Sequence, residues 1–164
     1  MRIKKVIGVG AMVGGIGIAA AACGPVNVHW ETYPTGTSAS LRTAEQHWWV
    51  NGGGDDFVYL NNDEATFIKD LENAESGGGS TASENKVLAD AKAISRAAAT
   101  AARNPYPGNP TAYVSFVTDI QTAANDAVAG DIGDAITALE NADTVQTNAG
   151  WATDFPAVPA NLTS

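Results

Sequence analysis

Between residues 38 and 149, apolar positions recur every three or four residues, the period of one helical face. The pattern is most regular over 83–103, where Val87, Ala91, Ile94, Ala98 and Ala101 are spaced four, three, four and three apart. That spacing is typical of a bundle seam. A further helix opens at Pro110 and is lined by Tyr113, Phe116, Val117, Ile120, Ala124 and Ala127. Gly130 breaks it, and Asp131 stands where it can cap a helix carrying Ile132, Ala135, Ile136, Leu139, Ala142 and Val145. Residues 55–75 place Phe57, Leu60, Phe67, Ile68 and Leu71 near the same spacing. Upstream, 38–50 predicts a short helix with Leu41, Ala44, Trp48 and Trp49 on one side, ended by Asn51-Gly52-Gly53-Gly54. Asn61 followed by Glu64 offers a capping box and so a later helix start, with 57–60 extended; the longer helix is the preferred expectation.

The breaks are clear. Ser76-Gly77-Gly78-Gly79-Ser80 is a linker, and the run from Asn104 to Pro110 holds three prolines. Short connections between helices of similar length favour antiparallel neighbours, which predicts an all-α, up-and-down four-helix bundle. Alanine at many seam positions predicts close helix approach. The tail 150–164 carries Trp151 and Phe155 among prolines and is expected to pack over one end of the bundle.

The first 31 residues pose a separate question. Val6-Ile7-Gly8-Val9-Gly10, Gly14 and the later Glu31 imitate a dinucleotide-binding turn with its distal acid. The glycine spacing is one residue too long, however. Three glycines weaken the would-be helix, and no further βαβ pattern follows. The same residues fit an export signal better. Arg2, Lys4 and Lys5 precede an uncharged stretch from Val6 to Ala22, which ends in Ala20-Ala21-Ala22-Cys23-Gly24. Seventeen helical residues reach about 25 Å, short of the roughly 30 Å hydrocarbon core.

The last four letters before Gly24 resemble the lipobox of bacterial lipoproteins. The resemblance implies a diacylglyceryl group on Cys23 and cleavage before it, although Ala20 stands where leucine is usual. Two acyl chains are what stable anchoring takes. Ala20 and Ala22 equally suit ordinary signal peptidase, which leaves a secreted protein as the alternative. The expected organisation is a signal peptide over 1–22, a flexible tether over 23–37, a helical domain over 38–149 and the tail. A tether of 15 residues spans roughly 20–25 Å. His29, Trp30 and Tyr33 within it are candidates for the membrane interface, with plain tether residues or packing back onto the bundle as the alternatives.

Charge sharpens this picture. The chain has 9 basic and 18 acidic residues. Removing 1–22 takes three of the basic ones and none of the acidic, which leaves a net charge of −12. Such a surface repels nucleic acid, whose binding rests on neutralised phosphates. Cys23 is the single cysteine, so no intrachain disulfide is expected.

Candidate chemistry is sparse. Beyond the signal only His29 and His47 remain, with no methionine, which argues against haem. Neither histidine has a glutamate three positions before it, so the di-iron motif is missing. No G-x-S-x-G stretch occurs. Asp55-Asp56 and Asp63-Glu64 read as a solvated face or helix-start charges. A calcium loop from Asn61 to Glu64 lacks EF-hand spacing. The expectation is therefore no catalysis, no cofactor and no metal site. Trp48 and Trp49 read as core and bundle-end packing. Lys86, Lys92, Arg96 and Arg103 put four basic residues on one helix, and 92, 96 and 103 share a face. That face is a possible docking stripe for an anionic cell-envelope polymer or an acidic partner. The alternative function is a carrier of small apolar ligands between Ala-rich helices.

Trp48-Trp49 before the glycine run, Leu88-Ala89-Asp90-Ala91, the proline-rich turn and residues 124–130 together resemble a group of uncharacterised actinobacterial secreted and lipoprotein-like helical-bundle proteins. The resemblance covers about residues 47–145. It implies a helical, extracytoplasmic domain held to the cell membrane by lipid, and it carries no activity. It also implies a cysteine pair on the middle helices, where this chain has Glu84 and Ala127.

Overall fold

The computed structural model describes residues 27–28, 38–76, 80–150 and 154–155. Among the described residues the fold is all-α, with five helices: α1 Ala39–Val50, α2 Gly53–Ser76, α3 Thr81–Ala101, α4 Pro110–Ala129 and α5 Ile132–Asn148. A two-residue parallel pairing, β1 Asn27–Val28 with β2 Asp154–Phe155, joins the segment before α1 to the segment after α5. The signal, the cleavage residues Ala20 and Ala22, and Cys23 lie outside the described residues.

The helix ends are made locally. Ser38 accepts a hydrogen bond from the Leu41 N–H and Ser80 from the Ser83 N–H, each at 3.2 Å. Asn109 does the same for the Ala112 N–H at the start of α4, with Pro110 as its first residue. Each such cap satisfies a donor that the helix cannot. Gly130 closes α4 at φ 89°, and the Asp131 N–H reaches back to the Asp126 carbonyl at 2.9 Å. A left-handed residue there favours glycine. Asp131 occupies the cap position of α5 but makes no side-chain capping bond.

The expected role of the glycine run is corrected. Of the glycine run, only Gly52 lies in the turn, at φ 83°; Gly53 and Gly54 are the first residues of α2. The reason is steric. A Cβ at Gly53 would overlap the Trp48 indole, and one at Gly54 the Trp49 ring. Glycine here lets two tryptophans lie over the start of the next helix. The longer helix, the preferred expectation over 55–75, is the one observed: Asn61 and Glu64 lie inside α2, so the alternative start with a capping box is not used.

Helices α2 to α5 pack consecutively, α2 on α3, α3 on α4 and α4 on α5. The connections are short, so neighbours alternate in direction. The α2–α5 seam is lighter than these three. The core sets the rings of α2 and α4 against faces of α3 and α5 on which alanine stands beside Val87, Ile94 and Leu139. Phe57, Leu60, Phe67, Phe116, Ile120 and Tyr113 are fully buried, as are Ala91, Ala98, Ala135 and Ala142. Alternating large and small residues lets layers interdigitate at native density.

The α1 face differs from expectation. It buries Glu45 and Trp48, while Ala44 is exposed. Glu45 accepts a hydrogen bond of 2.5 Å from the Tyr106 hydroxyl in the α3–α4 connection. The Trp48 indole N–H donates to the Asn104 carbonyl at 2.7 Å. Those two bonds rotate α1 so that a carboxylate, and not alanine, faces inward.

Gly53→Ala should lower stability by about 1–3 kcal/mol, the usual cost of overpacking, despite the ~1 kcal/mol that Ala gains in a helix. Gly133→Ala, whose Cβ would meet open space, should be neutral or stabilise by up to about 1 kcal/mol. Urea unfolding followed by tryptophan fluorescence reads both; equal effects of the two would refute the steric account.

Candidate functional site

Two side-chain clusters and one surface stripe stand out. The stripe is only partly made by α3. Lys92 and Arg96, four residues apart, lie within about 40° of one another around the helix, whereas Arg103, expected on the same face, falls in the turn two residues past Ala101, the last residue of α3. All three are exposed. Among the described residues none of them enters an ion pair or a side-chain hydrogen bond.

Lys86, on the same helix, does not belong with them. Its ammonium pairs with the Asp70 carboxylate of α2. Asp90 joins this group. Burial pushes the Asp70 carboxyl up, but hydrogen bonds from Asp90, Lys86 and Asn73 and the Lys86 charge outweigh it and hold it below the usual range. Asp90 is raised, first by burial and then by its hydrogen bond to Asp70 and the Asp70 charge. The bond to Asp70 raises Lys86 in turn. One ammonium and two carboxyls thus close the α2–α3 seam at the surface, and this use of Lys86 is structural.

The second cluster lies between α2 and α5. Asn61 and Glu64 are fully buried on α2, and Gln146 is fully buried on α5. The Gln146 amide donates to the Asn61 side-chain oxygen at 2.5 Å. Half-buried Asp143 sits one turn before Gln146. Neither oxygen of Glu64 has a protein hydrogen-bond partner, nor does the Gln146 carbonyl oxygen. Burial, helped by the Asp143 charge, pushes the Glu64 carboxyl up to about 8. At neutral pH this group is therefore mostly protonated, which removes the cost of an uncompensated buried charge.

Sequence reasoning assigned Asp63-Glu64 to a solvated face. That holds for Asp63 and fails for Glu64. The signal that could have found it was present: Glu64 lies four residues after Leu60 and three before Phe67, on the buried face of α2. Gln146 likewise follows Ala142 by four. His47 is exposed. Trp48 is buried and Trp49 partly so; Trp48 meets Trp49, Tyr106 and Tyr113 edge-on at 5.4, 5.2 and 5.9 Å.

Among the described residues no three His, Cys, Asp or Glu side chains gather as a metal-holding group. No described helix is long and apolar enough to cross a membrane. An open groove of about 360 Å³ runs between the start of α4 and the end of α5, with Asn109, Thr111, Ser115 and Asn148 on its walls. Comparison with protein families, curated proteins and solved structures finds no match to this chain.

The Glu64 shift has a sign. Its folded value, about 8, lies above the ordinary 4.5, so the folded state holds a proton that the unfolded chain releases. Its stabilising effect is complete below about 4.5 and is lost as pH rises through about 8. Without added divalent cations, unfolding free energy should fall by up to about 1.4 kcal/mol per pH unit across that window. Glu64→Gln should flatten this slope in urea titrations between those limits; an unchanged slope would show that Glu64 is not the group responsible.

Proposed function

We propose that this chain is a lipid-anchored, extracytoplasmic protein of the cell envelope that works by binding and not by catalysis. In this proposal α2 to α5 form an up-and-down four-helix bundle, α1 closes one end, and residues 23–37 tether the domain to the membrane through acylated Cys23. The binding surface is the α3 stripe, and its partner is an anionic cell-envelope polymer.

The observation that carries the proposal is a basic stripe with no ion pair among the described residues, on an otherwise acidic molecule. Past Arg103 the chain has seven acidic residues and no Lys, Arg or His. Helices α4 and α5 therefore contribute only negative charge, with Asp134 and Glu140 exposed. An anionic polymer is repelled from that side and attracted to α3, so the charge distribution orients the approach. Along α3 Lys92 and Arg96 stand about 6 Å apart at 1.5 Å per residue, and Arg103 follows in the turn after the helix, a row of cations that suits repeating anionic groups on an extended chain.

In a Cys23→Ala background, which keeps lipid from masking the contact, Lys92→Glu with Arg96→Glu should cut retention on washed envelopes at least tenfold. Raising the salt should weaken retention of the parent in the same direction. Equal retention of parent and double variant would reject the stripe. The anchor is tested by detergent phase partitioning with intact mass. The parent chain should enter the detergent phase with acyl mass on Cys23 and Cys23→Ala should not; an aqueous, unacylated parent would reject the anchor.

A further inference from the structure

Two pairs of oxygen-bearing side chains meet across the α2–α5 seam. Asn61 and Glu64 lie one turn apart on α2, and Asp143 and Gln146 lie one turn apart on α5. The helices run in opposite directions. The Asn61–Gln146 hydrogen bond therefore sets the next turn of each helix, Glu64 and Asp143, opposite one another, and the Asp143 charge acts directly on Glu64. Glu64 is fully buried with both oxygens unpartnered, and the buried Gln146 carbonyl oxygen is unpartnered beside the same bond. Buried acceptors that accept nothing are uncommon, and three in one place call for an explanation.

We propose that Glu64, Asp143 and Gln146 form a binding site for a hard divalent cation, with calcium the best match. Every donor is oxygen: two carboxylates and a carboxamide carbonyl, up to five atoms in all. Calcium takes six to eight such ligands, from carboxylates, amide carbonyls and water, in flexible geometry. Water reaches the rest through the half-buried Asp143 side. The set offers no nitrogen or sulfur, which zinc favours. Magnesium demands stricter octahedral geometry and gives up its water reluctantly. Two negative charges balance one divalent ion, so ligation removes the desolvation problem that each carboxylate has alone. Asn61 is a positioning residue: it holds the amide N–H end of Gln146 and so turns the carbonyl oxygen away from itself. The lighter packing of this seam gives the ion a route in. With only two acidic donors, the affinity expected is weak, roughly 10⁻⁴ M.

The test is calorimetric titration of the purified full chain with calcium and magnesium, paired with thermal unfolding. One saturable calcium site should appear, tighter than for magnesium. Calcium at about a hundredfold excess over its Kd should raise the folding equilibrium constant about a hundredfold. Both effects should disappear in Glu64→Gln and in Asp143→Asn and persist in Asp63→Asn, which removes an exposed acid beside the site. If Glu64→Gln does not fold, Asp143→Asn carries the test, because its side chain is only half-buried. No calcium response in the parent chain would overturn the proposal. So would an equal response in parent and Asp143→Asn, which would place the ion on surface acids instead.

Discussion

The seating of Trp48 at the start of α2 is the contact on which the rest of the structure depends. Its indole lies where a Cβ on Gly53 would stand, and its N–H donates to the Asn104 carbonyl. Its ring meets Tyr106 and Tyr113 edge-on. A single side chain thereby ties α1, the first turn of α2, the α3–α4 connection and the first turn of α4 together. Edge-to-face aromatic pairs add about 0.5–1.5 kcal/mol each beyond burial. More important, the indole satisfies an otherwise orphaned carbonyl just past the end of α3, in a stretch whose prolines cannot donate. Phe57 extends the cluster to Phe116 at 5.6 Å, so α2 and α4 meet through rings across the middle of the domain.

That aromatic contact across the middle explains why alanine suits the other two helices. Rings from α2 and α4 fill the centre, and α3 and α5 must then come close to exclude water around them. Ala91, Ala98 and Ala101 on α3 and Ala135, Ala138 and Ala142 on α5 permit that approach. The α2–α5 seam lacks such a fit, since α2 presents Asn61 and Glu64 there and α5 answers with Gln146. A seam closed by amides and carboxyls is held by directional bonds and by protonation or ligation, and less by apolar packing.

The helices themselves were legible in the sequence, because their period and breakers act locally: the 87-91-94-98-101 seam, Pro110 at the start of α4 and Gly130 at its end all fall where spacing placed them. The errors came where a tertiary partner overruled a local signal. Gly53 and Gly54 look like helix breakers until two indoles require the space above them. Ala44 looks more buried than Glu45 until Tyr106, 61 residues away, supplies a hydroxyl. Glu64 looks solvated by composition, although its position in the period is a core position. The exposure of Lys92 and Arg96 on one side of α3 was legible because it needs only the helical period; that Arg103 falls past the end of α3 was not. The separate fate of Lys86 was not, because it depends on Asp70 of another helix.

The two proposed binding regions differ in how they are packed, which bears on how each would act. Helix α3 lies between α2 and α4, and its inward face is wholly apolar with Val87, Ala91, Ile94, Ala98 and Ala101. A ligand on its outer cations therefore meets a rigid strut fixed by close packing on both sides, where a small displacement is resisted at native density. The α2–α5 seam is polar and lightly packed, and its α2 side belongs to the helix that packs on α3. Coupling between two sites requires an element with two arrangements that both sites bias. Helix α2 is the element the two regions share, since it packs on α3 and carries Asn61 and Glu64 of the seam, so any coupling between docking at the stripe and occupancy of the seam would pass through it.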